Sequence, residues 1–332
     1  MIKENLIYIY FLIVPLFSYI ATYNLINPIR KTSSKLGFFD KPNKRKSHTN
    51  NIVRLGGIPI FLGFFVGMLL LYLGNFFGLN FNITTEEYGF ITKVLIGSSI
   101  FFVLGTIDDL FKISPYIRLF VEFLTILILT YKGLIFSRFD FLPFDTTKTI
   151  ELNNNLSIFA NLIWIAGITN AINWLDGIDA LTAIYVSIIL STLLIISLTK
   201  GLILTSFTLL ILIFCILGFY KFNRHPAKIL IGDGGAYFLG FILSTFSIFL
   251  SSSKGDSYSI LISITLLSVP IFDMVYVILK RILNSNSIFL PDRSHLHHRL
   301  QDSGISYQNT LRIIISMIIF TSITSLLFYF LI

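Results

Sequence analysis

The chain has 332 residues, of which 55% are hydrophobic and only 13% charged, and its mean hydropathy is +0.81. About a quarter of the residues of a soluble domain are charged, so this composition excludes a soluble globular fold and predicts a single integral membrane domain over residues 1–332. The net charge of +8 is explained better by basic loops on one side of a membrane than by nucleic-acid binding.

Ten apolar stretches have about the length that a transmembrane helix needs. They are residues 5–26, 55–76, 90–107, 117–136, 157–172, 180–198, 202–219, 236–251, 258–279 and 310–331. The fifth stretch is short and continues into a polar motif. The short gap before residue 202 predicts a tight helical hairpin at Lys200 and Gly201. The sequence therefore predicts an all-α polytopic membrane protein with about ten transmembrane helices.

The distribution of Lys and Arg predicts the orientation of these helices. Of the 25 basic residues, 18 lie in or beside alternate loops, at 27–54, 105–118, 172–180, 220–235 and 280–309. These loops are expected to be cytoplasmic, with both chain ends on the outer side. The same loops carry the polar clusters that indicate chemistry, namely DKPNKRKSH (40–48), IDDLFK (107–112), NAINWLDGIDA (170–180), IGDGGA (231–236) and SHLHHRL (294–300). We therefore expect an active site at the cytoplasmic face.

Asp108 and Asp109 are adjacent carboxylates at the end of the third span. The alternative to a functional role is a solvated helix terminus, but acids are disfavoured at the negative end of a helix dipole. A divalent cation or a basic partner would remove that conflict. Arg118 is predicted at the start of the fourth span, where it could reach a phosphate, and Glu122, one turn later, could pair with it.

The NAINWLDGIDA motif repeats amide and carboxylate side chains at three-residue spacing, at Asn170, Asn173, Asp176 and Asp179. On a regular α-helix each step of three falls about 60° short of a turn, so the four would drift around the helix. They would line one face only if the segment tightens or breaks, and Gly177 favours a break. Their oxygens are hard donors suited to Mg²⁺ and to nucleotide hydroxyls.

Asp233 precedes a predicted helix and is followed by two glycines. One interpretation is a simple N-cap. The functional interpretation is that Asp233 holds Mg²⁺ while exposed N–H groups at the helix N-terminus accept phosphate.

Three histidines lie in the last polar loop. No cysteine is near them, so a phosphate-binding or proton-handling role fits better than a zinc site. His295 and His298 are three apart and are expected to share a helical face, while His297 points elsewhere. Arg293 and Arg299 are expected to add positive charge. Asp273, near the inner end of the ninth span, is interpreted as structural, through pairing or capping.

In this order and on this topology, the motifs resemble the polyprenyl-phosphate N-acetylhexosamine-1-phosphate transferases, glycosyltransferase family 4, from about residue 36 to 300. DKPNKRKSH, Gly56–Gly57 and HLHH are similar to the GlcNAc-type branch. The resemblance implies transfer of GlcNAc-1-phosphate from a UDP-sugar to undecaprenyl phosphate, with release of UMP, at a bacterial inner membrane. Within the class, the alternatives are a phospho-MurNAc-pentapeptide transferase or transfer of another acetamido sugar. Outside it, the alternative is a lipid or solute transporter, which would place its polar groups nearer the bilayer midplane.

The resemblance also implies a role for each matching residue. Asn173 and Asp233 would hold Mg²⁺, with Mn²⁺ as an alternative ion, and the paired aspartates Asp108 and Asp109 would bind or deprotonate the lipid phosphate. The remaining catalytic residues would be His295, His297 and His298. The substrate-binding residues would be Arg118, Asn170, Asp176, Asp179, His48 and Arg293. Ala180, Gly234–Gly235–Ala236 and Lys112 depart from the usual motifs, which leaves the sugar open, and a homodimer is an open alternative for the oligomeric state.

Overall fold

A computed structural model describes residues 2–40, 52–76, 79, 81, 83–134, 138–140, 149–252, 260–289 and 292–331. Within these residues the helices are α1 (Ile2–Lys35), α2 (Gly57–Phe76), α3 (Thr85–Phe111), α4 (Pro115–Tyr131), α5 (Asn154–Leu175), α6 (Leu181–Thr199), α7 (Ile203–Asn223), α8 (Gly232–Ser252), α9 (Ile260–Leu266), α10 (Ser268–Leu283), α11 (Leu296–Asp302) and α12 (Tyr307–Leu331). Two short antiparallel strand pairs accompany them, β1 (Phe39–Asp40) with β2 (Ile52–Val53) and β3 (Arg138–Asp140) with β4 (Thr149–Glu151). The predicted all-α polytopic class is confirmed.

The number of long helices differs slightly from the expected ten. Among the described residues, eight helices are long and apolar enough to cross a membrane, and the pair α9 and α10, bent by 73°, makes a ninth if it forms one span. Helix α4 has 17 residues, or about 26 Å at the α-helical rise, a little less than the thickness of a typical hydrocarbon core. Helix α1 is longer than expected, so residues 27–35 are helical and not part of a loop.

Helix α8 is the centre of the bundle. It contacts α2, α3, α5 and α6, and almost all of its side chains are buried. Such a position suits a helix that is apolar on all sides. Aromatic rings fill the space between α2, α3 and α8, where Phe61 stacks on Phe102 at 3.9 Å and meets Phe238 edge-on at 5.5 Å. The first turn of α8, which carries Asp233, is thereby held in the middle of the bundle at one end.

Two chain segments pair to bring distant residues together at that end. Val53 forms a parallel bridge with Ile229, and the Gly57 N–H donates to the Ile231 carbonyl at 2.7 Å. This pairing places Arg54, which follows β2, beside the start of α8.

Glycines allow the same segments to approach closely. A Cβ at Gly57 would overlap the backbone of Gly235, and a Cβ at Gly105 would overlap the Asp233 carbonyl. Gly232 has φ +77°, a conformation that glycine adopts without strain. The N-terminus of α8 therefore touches the backbones of α2 and α3 directly.

The predicted hairpin between α6 and α7 is also present, with Gly201 at φ +67°.

Candidate active site

Asp233, in the first turn of α8, is the centre of the polar cluster. Its Oδ1 accepts a hydrogen bond from Asn173 Nδ2 at 2.6 Å and another from the Arg54 guanidinium at 2.6 Å. Arg54 Nε also lies 3.5 Å from Asp109 Oδ1. One guanidinium thus joins two carboxylates that are 124 residues apart in the chain.

Asp109 caps helix α8 from the end of helix α3. Its two carboxylate oxygens accept the backbone N–H groups of Asp233, at 2.9 Å, and of Gly234, at 3.0 Å. Only 3% of its side chain is exposed. A carboxylate from the protein thus satisfies these two N–H groups in this structure, so a substrate phosphate could accept from them only by displacing Asp109.

Asp108 faces a different helix from Asp109. It accepts a hydrogen bond from the Arg118 guanidinium at 2.8 Å and one from the Ile113 N–H at 3.0 Å. The Arg118 guanidinium also lies 5.5 Å from the centre of the Tyr237 ring, a cation–π arrangement. Glu122, expected to pair with Arg118, instead accepts a hydrogen bond from Asn170 Nδ2 at 2.8 Å.

The amide and carboxylate motif does not line one face. Helix α5 stays regular to Leu175 and ends at Asp176, so Asn170 and Asn173 lie in the helix and the chain breaks only after them. As a result Asn170 turns towards α4, while Asn173 turns towards α8.

Asp179 is held by the segment after α7. One of its carboxylate oxygens lies 2.8 Å from His225 Nδ1 and accepts the Ala227 N–H at 3.1 Å. The Asn223 side chain accepts the Ala180 N–H next to it at 3.0 Å. In this structure Asp179 therefore organises the turn after α5. His225 is a contributor that the sequence interpretation did not include.

Asp176, the C-cap residue of α5, lies near the Arg54 guanidinium. Its carboxyl lies among protein atoms, and this desolvation raises its pKa to about 7, although the Arg54 guanidinium acts to lower it. Asp233 and Asp179 contribute in the same direction as the desolvation, because neighbouring negative charges disfavour ionisation. Arg54 is therefore the basic group that faces Asp109, Asp176 and Asp233 together.

The three histidines differ in their position relative to helix α11, and the arrangement is not the predicted one. His295 is the N-cap residue of the seven-residue helix α11, and its ring is parallel to that of His297, with centroids 5.9 Å apart. His297 is buried and packs on Gly177, where a Cβ would overlap its ring. The prediction that His295 and His298 share a helical face is wrong, because His295 precedes the helix. His297 is the histidine that contacts the turn after Asp176.

Asp273 fixes this histidine segment from helix α10, as its structural interpretation expected. It lies 3.0 Å from His295 Nδ1 and accepts the Leu296 N–H at 2.6 Å. A carboxylate in this position selects the tautomer and orientation of an imidazole. Trp174, at the end of α5, meets the His295 ring edge-on at 5.5 Å.

Arg281 anchors the preceding loop. Its guanidinium donates two hydrogen bonds to Asp292, at 3.0 and 3.3 Å, and lies 5.1 Å from the centre of the Trp174 ring. Burial acts to raise the pKa of Asp292, but hydrogen bonds from Arg281 and from the Ser294 N–H lower it to about 2. The histidine segment is thus attached to both α5 and α10.

Two predicted substrate-binding residues remain apart from this cluster. Arg293 is exposed and pairs with Asp302 at 2.6 Å. The hydrogen bond from Arg293 lowers the pKa of Asp302, and the opposing effect of burial is smaller. His48 lies outside the described residues, as does nearly all of the DKPNKRKSH cluster. The other four polar clusters contact one another, which agrees with their predicted convergence.

The donor set around Asp233 suits a hard divalent cation that also binds substrate. Among the described residues, no three His, Cys, Asp or Glu side chains lie close enough together to hold a metal ion by themselves. Mg²⁺, however, is usually held by one or two carboxylates together with substrate phosphates and water. The Asp233 carboxylate fits that pattern. The Asn173 Nδ2 group donates to Asp233 Oδ1 at 2.6 Å, so Asn173 would hold a cation only through its amide oxygen, and the Arg54 guanidinium competes with a cation for Asp233 Oδ1.

Comparisons with known proteins identify close relatives. A sequence model of glycosyl transferase family 4 matches residues 91–251. A Bacillus subtilis protein named probable undecaprenyl-phosphate N-acetylglucosaminyl 1-phosphate transferase is 36% identical over 296 residues, which cover 89% of this chain and 78% of the relative.

Two further relatives have related names. A Thermotoga maritima undecaprenyl-phosphate alpha-N-acetylglucosaminyl 1-phosphate transferase is 29% identical over 84% of this chain and 78% of its own length. A Mycobacterium tuberculosis decaprenyl-phosphate N-acetylglucosaminephosphotransferase is 27% identical over 93% of this chain and 81% of its own. The similarity covers most of each relative.

Proposed function

The chain belongs to glycosyl transferase family 4, and we propose that it transfers N-acetylglucosamine 1-phosphate from UDP-GlcNAc to a polyprenyl phosphate, with release of UMP. It is a phosphoglycosyl transferase of the membrane. The names of the relatives support both the sugar and the lipid acceptor. Undecaprenyl phosphate is the acceptor we propose, because two of the relatives are named for it.

One observation carries this proposal. The end of α3, the end of α5, the start of α8 and the histidine segment meet in a single cluster that combines hard oxygen donors with guanidinium groups. Phosphoryl transfer depends on positioning and on neutralising charge at phosphate oxygens. All these groups lie at helix ends, whereas a transporter would be expected to place them near mid-span.

In the proposed reaction, an oxygen of the lipid phosphate attacks the β-phosphorus of UDP-GlcNAc. The new P–O bond forms the lipid pyrophosphoryl sugar, and the bond from the β-phosphorus to the α-phosphate oxygen breaks, so that UMP leaves. The second pKa of a phosphate monoester is near 6, so the attacking oxygen is largely ionised at neutral pH. A general base is therefore not required.

The residues on the two sides of the cluster have different tasks. Arg118, held by Asp108 and Tyr237, would bind the acceptor phosphate. Asn173 and Asp233 would hold Mg²⁺, which when bound offsets charge on the pyrophosphate. His297, beside Gly177, would donate to a phosphate oxygen of the donor substrate. Asp109 holds the start of α8, which keeps Asp233 in place.

The site is proposed to face the cytoplasm of a bacterial inner membrane. The polar cluster lies at the same helix ends as the basic loops, and such loops remain on the cytoplasmic side. This is also the compartment in which a nucleotide sugar would be supplied.

The decisive experiment is a transfer assay with the purified full-length protein in lipid nanodiscs. With UDP-GlcNAc, undecaprenyl phosphate and Mg²⁺, we expect UMP and a lipid-linked pyrophosphoryl sugar in equal amounts. Omission of the lipid or addition of EDTA should abolish UMP release, and Asp233→Ala should be inactive. A parallel panel of UDP-sugars tests the transferred sugar.

Two results would contradict the proposal. If no UDP-sugar yields UMP with the lipid acceptor, the protein is not a transferase of this type. If UDP-MurNAc-pentapeptide is used in preference to UDP-GlcNAc, the reaction class stands and the proposed sugar is wrong.

A further inference from the structure

Glu122 is a carboxylate buried inside the bundle, one turn after Arg118 on helix α4. It is completely inaccessible to solvent. Its Oε2 accepts a hydrogen bond from Asn170 Nδ2 at 2.8 Å, and the same amide group donates to the Ala166 carbonyl at 2.9 Å. This hydrogen bond is a direct polar link between α4 and α5.

Stability alone does not account for a carboxylate at this place. A buried charge has a large desolvation cost, and replacing such groups by apolar side chains of similar volume is often neutral or stabilising. The cost is at least as large within the hydrocarbon region of a membrane. An apolar contact between α4 and α5 would hold the helices together at a lower cost.

The position of Glu122 connects the two sides of the candidate site. Arg118, the proposed acceptor-phosphate ligand, is four residues earlier on α4, so the two side chains are neighbours on the helix surface. Asn170 is three residues before Asn173, which corresponds to about 4.5 Å along the axis of α5. A displacement of α4 relative to α5 would therefore change the separation of Arg118 from Asn173 and Asp233.

We propose that Glu122 is a positioning residue: its hydrogen bond to Asn170 fixes the distance between the acceptor-phosphate ligand on α4 and the donor-substrate ligands on α5 and α8. This inference rests on the proposed function. In-line transfer is sensitive to such distances, because a misplacement of about 1 Å can cost on the order of 100-fold in rate.

The test compares Glu122→Gln with Glu122→Leu in the nanodisc transfer assay. Glutamine retains an oxygen that can accept from Asn170, so we expect its kcat to stay within about threefold of wild type. Leucine has no acceptor, so we expect kcat to fall about 100-fold. The KM for UDP-GlcNAc should stay nearly constant, and the thermal unfolding temperature should not fall.

A second variant makes the test independent of how Glu122→Leu folds. Asn170→Ala removes the donor of the same hydrogen bond, so it should lower kcat to a similar extent. Because the two substitutions break one interaction, the double variant should be no slower than the slower single variant.

Glu87 provides a matched control, since it is also a buried carboxylate on the helix bundle. Its Oε1 accepts from the Thr205 N–H and hydroxyl, both at 3.0 Å. It lies at the opposite end of α3 from Asp108, about 30 Å away along the axis. Glu87→Leu should alter the unfolding temperature but leave kcat and KM of the folded protein unchanged.

The outcomes separate this inference from the proposed function. Failure of the wild-type protein to release UMP from any UDP-sugar would refute the proposed function. If the wild type is active, wild-type kcat in Glu122→Leu or in Asn170→Ala would overturn the positioning role. Equal loss of kcat in Glu122→Gln and Glu122→Leu would also overturn it, because charge and not the hydrogen bond would then be responsible.

Discussion

Replacing Asp109 by Asn tests whether this acid organises the site or removes a proton. The substitution retains the size of the side chain but exchanges one carboxylate oxygen for an NH₂ group. In the wild type the two oxygens accept the N–H groups of Asp233 and Gly234, at 2.9 and 3.0 Å. In the variant one of these N–H groups faces a donor and loses its partner.

The structure sets the size of the expected effect. A buried N–H group left without a hydrogen bond costs about 1–3 kcal/mol, and removal of a negative charge from a helix N-terminus costs about 0.5–1 kcal/mol more. A total near 2–3 kcal/mol that displaces Asp233 corresponds to a fall in kcat/KM of about 30- to 150-fold. The same total should appear as a lower unfolding temperature.

The assay is UMP release as a function of pH, together with thermal unfolding, both with the protein in the same lipid nanodiscs. If Asp109 organises the site, the pH–rate profile keeps its shape and the unfolding temperature falls. Asp108→Asn is the neighbouring control, since it removes the ion pair to Arg118 without uncapping α8. Loss of an ionisation from the profile of Asp109→Asn, with unchanged thermal stability, would refute this reasoning and assign Asp109 as a base.

Three further predictions concern the surroundings of the site. Arg54→Gln removes a guanidinium from Asp233 Oδ1, the proposed metal-binding oxygen, so the Mg²⁺ concentration for half-maximal activity should fall about fivefold. A higher requirement would show that Arg54 orients the acid instead. Asp273→Asn should lower kcat about tenfold, and adding His295→Ala should lower it no further; additive losses would contradict their coupling. Asp292 has a pKa of about 2, below its ordinary value near 3.9, so its ion pair with Arg281 stabilises the fold above about pH 4 and is lost as the pH falls towards 2. Asp292 is partly exposed, so solvent screening reduces the stabilisation that this shift implies, and Asp292→Asn should be about 1 kcal/mol less stable than wild type at pH 7. The difference in unfolding temperature should disappear near pH 2, and an equal difference at pH 7 and pH 2 would contradict this assignment.

The sequence predicts the helical class well because lipid imposes a simple rule. Every backbone polar group within the hydrocarbon region must be satisfied inside its own segment, so a long apolar stretch becomes a helix. The stretch over 117–136 is the borderline case, since its helix ends at Tyr131 after 17 residues. The polar motifs marked the ends of α3 and α5 and the start of α8 correctly.

The partners of the site residues could not be predicted in the same way. Asp108 and Asp109 are adjacent in the sequence, but successive residues on a helix point about 100° apart. One therefore faces Arg118 on α4 and the other faces the start of α8. The sequence alone does not distinguish the two acids. Only the packing of three helices shows that Asp108 pairs with Arg118 and that Asp109 caps α8.

Arg54 was missed as a site residue for a related reason. It stands in a strongly basic loop, where the positive-inside rule already accounts for a positive charge. Its contact with Asp233, 179 residues away, depends on the pairing of residues 53–57 with 229–231. The signal in the sequence is Gly56–Gly57 immediately after it, because a pair of glycines permits the backbone approach that brings Arg54 to α8.

The balance of charge in the cluster bears on the order in which substrates bind. Four carboxylates and two guanidinium groups line it, namely Asp108, Asp109, Asp176, Asp233, Arg54 and Arg118. Each substrate brings further negative charge, and a pyrophosphate beside Asp233 would be repelled unless a cation accompanies it. In the proposed function the acceptor phosphate binds Arg118. Among the salt bridges of the described residues, Arg118 pairs with Asp108 alone. We therefore expect binding of UDP-GlcNAc to depend strongly on Mg²⁺ and binding of the lipid phosphate to depend on it weakly. Equilibrium binding of each substrate, measured with and without Mg²⁺, tests this asymmetry, and equal metal dependence for both would show that the two phosphates share one cation.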